Sequence, residues 1–275
     1  MLFFDKKSAL VRLSDSLKMG LSQCAQTSTE ILNAFLPYEE RFREAQTITK
    51  EALAQDIEPV TVEQRLNEAL STIPQEVLAQ GASLQGQLHS QALSTILMCC
   101  FCLESYVNSL AYFIYHESDF LGLIRNGHKT AAEVLIEAID RMSTRDKWQT
   151  IGKLGNASGF DTSRSPFQDF NILFRFRNDH VHDKVVDYNK DRAKKQYNGR
   201  FPDPMLGILD LGHALYAAQT YWDMVRVVHQ LTGIDINSFH GHYNLSPWLD
   251  VGQKEQFESL AKLYVEKLRS RHGAG

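Results

Sequence analysis

A strongly apolar stretch from about Gln85 to Tyr115 constrains the fold of this chain more than any other feature. Apolar residues cover most sides of a helix drawn through it, and such a helix belongs at the centre of a bundle. Glu104 and Asn108 interrupt the stretch and, one turn apart, share a face of that helix. Because a charged residue near the middle of a membrane span is costly, we interpret the stretch as a buried central helix and expect no membrane partner.

The rest of the chain also follows helical spacing, and no segment shows the alternation that is typical of a strand. At 275 residues with 43% apolar content, the chain is long enough to bury a sizeable core. We therefore predict an all-α fold. Besides the central helix, the pattern predicts helices over residues 8–36, 38–54, 61–70, 130–142, from 144 to about 154, from 166 onward, 205–232 and 251–271.

The changes in pattern along the chain predict three parts. Residues 1–88 form a helical amino-terminal extension, residues 89–235 a helical bundle, and residues 236–275 a carboxy-terminal turn and helix. His240 and His242 fall in the turn-rich stretch that precedes the last helix, and we interpret them as turn residues.

The four cysteines are Cys24 and the cluster Cys99, Cys100 and Cys102. The cluster falls in the apolar stretch, where neighbours point to different sides of a helix. This pattern favours buried, reduced thiols over a metal site or a disulfide framework. The amino terminus has no secretory signal pattern. Together these features predict a cytoplasmic protein with no metal and no cofactor.

The net charge of -4 gives the whole chain no attraction to nucleic acid. A local exception is the polar connection between residues 183 and 204, where cations outnumber carboxylates. Such a segment is either a solvated surface or an RNA contact. Its candidate RNA-binding residues are Lys184, Lys190, Arg192, Lys194 and Lys195.

The segment from Phe174 to Lys184 carries the densest functional chemistry, with two arginines, two histidines, an amide and two carboxylates. By helical spacing, Arg177 continues an aromatic stripe that also contains Phe167, Phe170, Phe174 and Val181. A buried carboxylate needs a cationic or donor partner, so we expect Arg177 to pair with Glu104. On a regular helix Arg177 and His182 point about 140° apart. Their convergence would therefore require a helix break, a long reach or a second subunit.

The Glu104 and Asn108 helix, followed by Arg177-Asn178 and then His182 after four intervening residues, resembles the HEPN superfamily (higher eukaryotes and prokaryotes nucleotide-binding). The segments Lys147-Trp148 and Pro166-Phe167-Gln168-Asp169-Phe170 are similar to those of uncharacterised bacterial members. The resemblance covers about residues 90–232. It implies an up-and-down helical bundle that pairs two-fold and often acts as a metal-independent endoribonuclease, in toxins or antiviral defence.

Carried onto this sequence, the resemblance implies that His182 is the general acid or base for attack by the ribose 2′-hydroxyl. Arg177 would bind the phosphate and stabilise transition-state charge, and Asn178 would orient the phosphate or the histidine. The implied partners are RNA, a second copy of the chain, and an antitoxin or sensor protein. The supporting residues are Glu104, Asn108, Arg175 and His180.

Three other interpretations fit the same residues. Arg177 and Glu104 could form a structural pair in a catalytically inactive HEPN-like scaffold or partner-binding subunit. The amino-terminal extension could instead be the working part of a helical interaction protein. A metal site at His180 and His182 is disfavoured, because such close neighbours on one helix do not share a face.

Overall fold

The computed structural model describes residues 3–55, 58–117, 137–156, 158–181, 197–202, 208–243, 245 and 251–266. Within these ranges the regular elements are helices and no strand occurs, which confirms the predicted all-α fold. In chain order the helices are α1 (Phe3–Phe35), a 3-10 turn (Leu36–Tyr38), α2 (Glu39–Gln55), α3 (Pro59–Leu70), α4 (Gln75–Glu117), α5 (Thr144–Gly155), α6 (Phe167–Val181), α7 (Leu211–Thr232), α8 (Ile236–Tyr243) and α9 (Val251–Tyr264). Residues 137–141 are helical as well.

Helix α4 is the centre of the molecule, as its apolar sequence predicts. It packs against α1, α5, α6 and α7. Leu103, Tyr106, Val107 and Leu110 on it have no exposed surface. By length and composition α4 could also cross a membrane over Gln75–Ile114, but half of its most apolar window is buried by the other helices. A central core helix meets the same criteria.

Helix α1 lies antiparallel along α4, and two glycines permit their close approach. A Cβ on Gly20 would lie 2.5 Å from the Oγ1 of Thr95, and one on Gly81 would lie 1.7 Å from the Cζ of Phe35. Any larger side chain at Gly81 would therefore displace the Phe35 ring. Between these points, the thiol of Cys24 lies 3.8 Å from the hydroxyl of Thr95.

Helices α2 and α3 pack on each other and enclose a small apolar cluster of their own. Its buried members are Ala45, Ile48 and Ala69. The ion pair between Arg65 and Glu51, at 2.7 Å, links the two helices on the outside. Helices α2 and α3 both fall within the predicted amino-terminal extension, residues 1–88. Since α4 continues from Gln75 to Glu117 across residue 88, the division into three parts stays a prediction.

Three predictions of local structure are wrong. The central helix α4 begins at Gln75 and not at about residue 85. Helix α7 begins at Leu211 and not at residue 205, because Asp210 and His213 form a reciprocal capping box at its first turn. His240 and His242 lie in helix α8 and not in a turn. Asp235 caps that helix, since its Oδ2 accepts hydrogen bonds from the backbone N–H of Ser238 at 2.9 Å and from its hydroxyl at 2.8 Å.

Local chemistry also sets two other helix ends, and the buried thiols are as predicted. Ser143 caps α5, where its hydroxyl accepts a hydrogen bond from the backbone N–H of Asp146. Gly233 ends α7 in the left-handed conformation with φ 69°, which glycine adopts without steric cost. The four cysteines are buried free thiols. Burial raises the pKa of Cys24 to about 11 and that of Cys102 to about 12.

Candidate functional site

Helix α6 presents Arg177 at the edge of the core. The fully buried face of this helix runs through Phe170, Leu173 and Phe176. This face is rotated from the predicted stripe, so Val181 is 49% exposed and not buried. The side chain of Arg177 lies between the two environments, with 21% of its surface exposed. The Arg177 side chain is therefore mostly packed and only partly accessible to solvent.

Three contacts hold the Arg177 guanidinium. Nη1 donates a hydrogen bond to Oδ1 of Asn178 at 3.0 Å. Nη2 lies 3.9 Å from Oε1 of Glu104, so the expected ion pair is present but long. The Cζ atom lies 5.9 Å from the centre of the Phe101 ring. Nε is buried and has no hydrogen-bond partner within the described part of the chain.

Helix α5 contributes two polar residues that the sequence analysis did not assign to the site. The hydroxyl of Thr144 donates to Oε1 of Glu104 at 3.2 Å. One turn further along both helices, Nζ of Lys147 donates to Oδ1 of Asn108 at 2.8 Å. The two contacts advance in the same direction, so α4 and α5 run parallel where they meet. The sequence did contain one indication of this arrangement. Thr144 and Lys147 are three residues apart, which puts both on one face of α5.

These residues form a continuous polar surface across three helices, which we call the polar seam. Two cations and one carboxylate give it a net charge of +1, from Arg177 and Lys147 against Glu104. The residues of the polar seam are Glu104, Asn108, Thr144, Lys147, Arg177 and Asn178. A half-buried cationic surface of this kind is suited to binding an anion such as a phosphate.

The predicted supporting residues on α6 have different surroundings. Arg175 is exposed. Nδ1 of His180 lies 2.9 Å from the carbonyl oxygen of Phe176, to which it donates, and its ring packs on the Phe176 ring at 4.0 Å. His180 is also close enough to His89 to contribute to the lowered pKa of that residue, which burial mainly causes. Its imidazole is therefore engaged with its own helix.

The segment after α6 carries the remaining predicted site residues. Helix α6 ends at Val181. His182, Lys184, Lys190, Arg192, Lys194 and Lys195 lie outside the described residues. The end of the predicted polar connection is packed on the bundle, since Tyr197 and Phe201 are buried. The hydroxyl of Tyr197 donates to Oδ2 of Asp179 at 2.6 Å, which fixes this end beside α6.

A second polar cluster lies between α4, α7 and α8, where helical periodicity did not predict one. The hydroxyl of Tyr106 lies 2.7 Å from Nε2 of His229 and 3.2 Å from Nε2 of His240. Nδ1 of His229 donates to the carbonyl oxygen of Ile234 at 2.9 Å. In the neutral imidazole Nε2 then accepts the Tyr106 proton, and Tyr106 accepts one from His240. We call these three side chains the buried triad.

Burial keeps both histidines of the buried triad neutral. It lowers the pKa of His240 to about 4, and the neighbouring His229 adds to this effect. Burial also lowers the pKa of His229, opposed by the hydrogen bond to Ile234 and by the charge of Asp235. Burial raises the pKa of Tyr106 well above its ordinary value. Within the described ranges, no group of three or more His, Cys, Asp and Glu residues has the geometry of a metal site.

Comparisons of the chain with protein-family models, curated proteins and solved structures gave no match in any of the three.

Proposed function

We propose that this protein is a metal-independent endoribonuclease of the HEPN type. The observation that carries the proposal is the placement of Arg177, whose partly exposed side chain is held by Asn178 and only loosely paired with Glu104. A guanidinium that is held in place, and has no carboxylate at short distance, can donate two N–H hydrogen bonds to one phosphate. The resemblance of the Arg177-Asn178 and His182 motif to the HEPN pattern supplies the choice of reaction.

In the proposed reaction His182 removes the proton from a ribose 2′-hydroxyl, whose oxygen attacks the adjacent phosphorus. The bond from phosphorus to the 5′-oxygen of the next nucleotide breaks, and that oxygen takes a proton from the solvent, to which His182 later releases the proton it removed. The products are a 2′,3′-cyclic phosphate and a 5′-hydroxyl end. Arg177 neutralises the charge that develops on the phosphoryl oxygens, and Asn178 holds the guanidinium in place.

The proposal includes a homodimer. Helix α6 extends to Val181. If it continued by one residue, Arg177 and His182 would point about 140° apart. A two-fold pair of α6 helices would bring Arg177 of one chain to His182 of the other. We further propose that the enzyme acts in the cytoplasm as a toxin or antiviral effector, restrained by an antitoxin or sensor protein.

The test is cleavage of single-stranded RNA by the purified full-length protein in the presence of a chelator. We expect cyclic-phosphate products, no cleavage of DNA of the same sequence, and loss of at least a hundredfold in rate in His182→Ala, in line with the usual contribution of general acid–base catalysis of about 10²–10⁴. His242→Ala, at an exposed histidine on α8, is the matched control. Equal cutting of DNA, or full activity in His182→Ala, would contradict the proposal.

The second candidate function is a catalytically inactive scaffold, and the Glu104 contacts favour it. Glu104 accepts a hydrogen bond from Thr144 on α5 and pairs with Arg177 on α6, so one carboxylate joins three helices. In that case no cleavage occurs in any variant, and Arg177→Ala lowers only the free energy of unfolding.

A further inference from the structure

One face of α4 beside the polar seam carries an exposed aromatic ring. Phe101, Glu104 and Asn108 follow one another by steps of three and four residues, so they share this face. Phe101 is 38% exposed, whereas its neighbours Cys100 and Cys102 have no exposed surface. The ring is therefore available to a ligand that approaches the polar seam.

A cationic side chain lies at each end of this face, near Phe101 and near Asn108. The Arg177 guanidinium lies 5.9 Å from the centre of the Phe101 ring. Lys147 is held by Asn108 at 2.8 Å, at the other end. The helical rise from Phe101 to Asn108 is about 10 Å, a length that matches about three stacked nucleotides at about 3.4 Å each. An aromatic platform between cations is the arrangement with which proteins bind single strands of nucleic acid.

We propose that this face of α4 is a track for single-stranded RNA, in which a base stacks on Phe101 and Lys147 contacts a phosphate about three nucleotides along from the one at Arg177. The inference rests on the proposed function for the position of the reacting phosphate at Arg177. It adds two binding residues and a substrate class. A duplex is excluded because its bases are stacked on one another and cannot present a free face to Phe101.

The experiment measures binding of a short fluorescent single-stranded RNA to the full-length His182→Ala protein by fluorescence anisotropy, over a series of KCl concentrations. We expect Phe101→Leu to weaken binding about tenfold, within the range known for loss of one stacked base, with no change in salt dependence. We expect Lys147→Met to weaken binding and to reduce the slope of log K against log salt concentration by about 0.7. A role in folding alone would not change that slope.

Matched variants separate the track from general effects. Lys153→Met removes an exposed cation from the same helix α5, and Met19→Ala removes an exposed apolar side chain from α1. Both should bind the RNA like the parent. Phe101→Trp and Lys147→Arg keep the ring and the charge and should retain binding, which tests the track even where Phe101→Leu does not fold.

The outcomes distinguish this inference from the proposed nuclease. If cleavage depends on Arg177 and His182 but Phe101→Leu and Lys147→Met bind as the parent does, the track is wrong and the nuclease stands. If the wild-type protein cuts no RNA but binding still depends on Phe101 and Lys147, the nuclease is wrong and the track stands. Binding of a duplex of the same sequence as tightly as the single strand would overturn the track.

Discussion

The phenol oxygen of Tyr106 on α4 lies 2.7 Å from Nε2 of His229 on α7, in the interior of the bundle. Burial of a polar group is costly unless it is hydrogen-bonded, and here the Tyr106 hydroxyl has partners on two other helices. His240 supplies the second contact from α8. The buried triad therefore fixes how these three helices meet more specifically than apolar packing alone would.

Removal of the Tyr106 hydroxyl should destabilise the fold. Tyr106→Phe leaves Nε2 of His229 buried without its donor, and an unsatisfied buried group costs about 1–3 kcal/mol. We expect the free energy of unfolding, measured by urea denaturation, to fall by that amount. Tyr38→Phe, in the 3-10 turn, removes a hydroxyl from a half-buried tyrosine and should change it by less than about 0.5 kcal/mol. Equal effects of the two variants would contradict a special role for the triad.

Stability should depend on pH through the two triad histidines. Burial holds the pKa of His240 at about 4, below its ordinary value of 6.5, and lowers that of His229. Between pH 4 and pH 6.5 the unfolded chain binds more protons than the folded one. The contribution of the neutral histidines to stability is therefore full above about pH 6.5 and is lost as the pH falls toward 4. The midpoint of thermal unfolding, followed from pH 8 to pH 4, measures this.

Substitution of His240 tests the source of that pH dependence. Glutamine keeps an N–H donor for Tyr106 but does not titrate, so His240→Gln should flatten the decrease in unfolding midpoint below pH 6.5. The exposed His242 on the same helix provides the control, and His242→Gln should leave the profile unchanged. An unaltered profile in His240→Gln would place the pH dependence elsewhere.

The coupling between Arg177 and Glu104 should be small. Their charged atoms are 3.9 Å apart, and the side chains are 21% and 31% exposed, so solvent screens the pair. A double-mutant cycle with Arg177→Met and Glu104→Gln should give a coupling energy of about 1 kcal/mol or less. A coupling of several kcal/mol would mean that the pair is mainly structural, as the scaffold interpretation requires.

Helix α4 contains one glycine at which alanine should destabilise the fold and one at which it should not. Gly81→Ala places a methyl group 1.7 Å from the Cζ of Phe35, and overpacking of this kind costs about 1–3 kcal/mol. No atom lies within 4 Å of a Cβ built at Gly86, so Gly86→Ala should stabilise the helix by up to about 1 kcal/mol. Denaturant titration of both variants measures the difference in sign.

Local sequence determined the helices, because capping and periodicity act between residues close in the chain. Ser143 and Gly233 mark helix ends with side chain and backbone chemistry that needs no tertiary context, and the apolar run around Leu103 could be satisfied only at the centre of a bundle. The same logic paired Glu104 with Arg177, since a carboxylate in an apolar helix needs a cation. Asp235 gave an equally local signal for α8, which the sequence analysis overlooked.

Tertiary structure alone decided which distant side chains meet. Lys147 joins Asn108, and Tyr106 joins His229 and His240, through the relative placement of whole helices, which no periodicity within one helix encodes. Whether an exposed ring such as Phe101 borders the core or a binding face is likewise set by where the neighbouring helices stop. The sequence by itself specified the helices and the chemistry they carry. Packing between segments far apart in the chain specified the site, because burial and hydrogen bonding act across space and not along the chain.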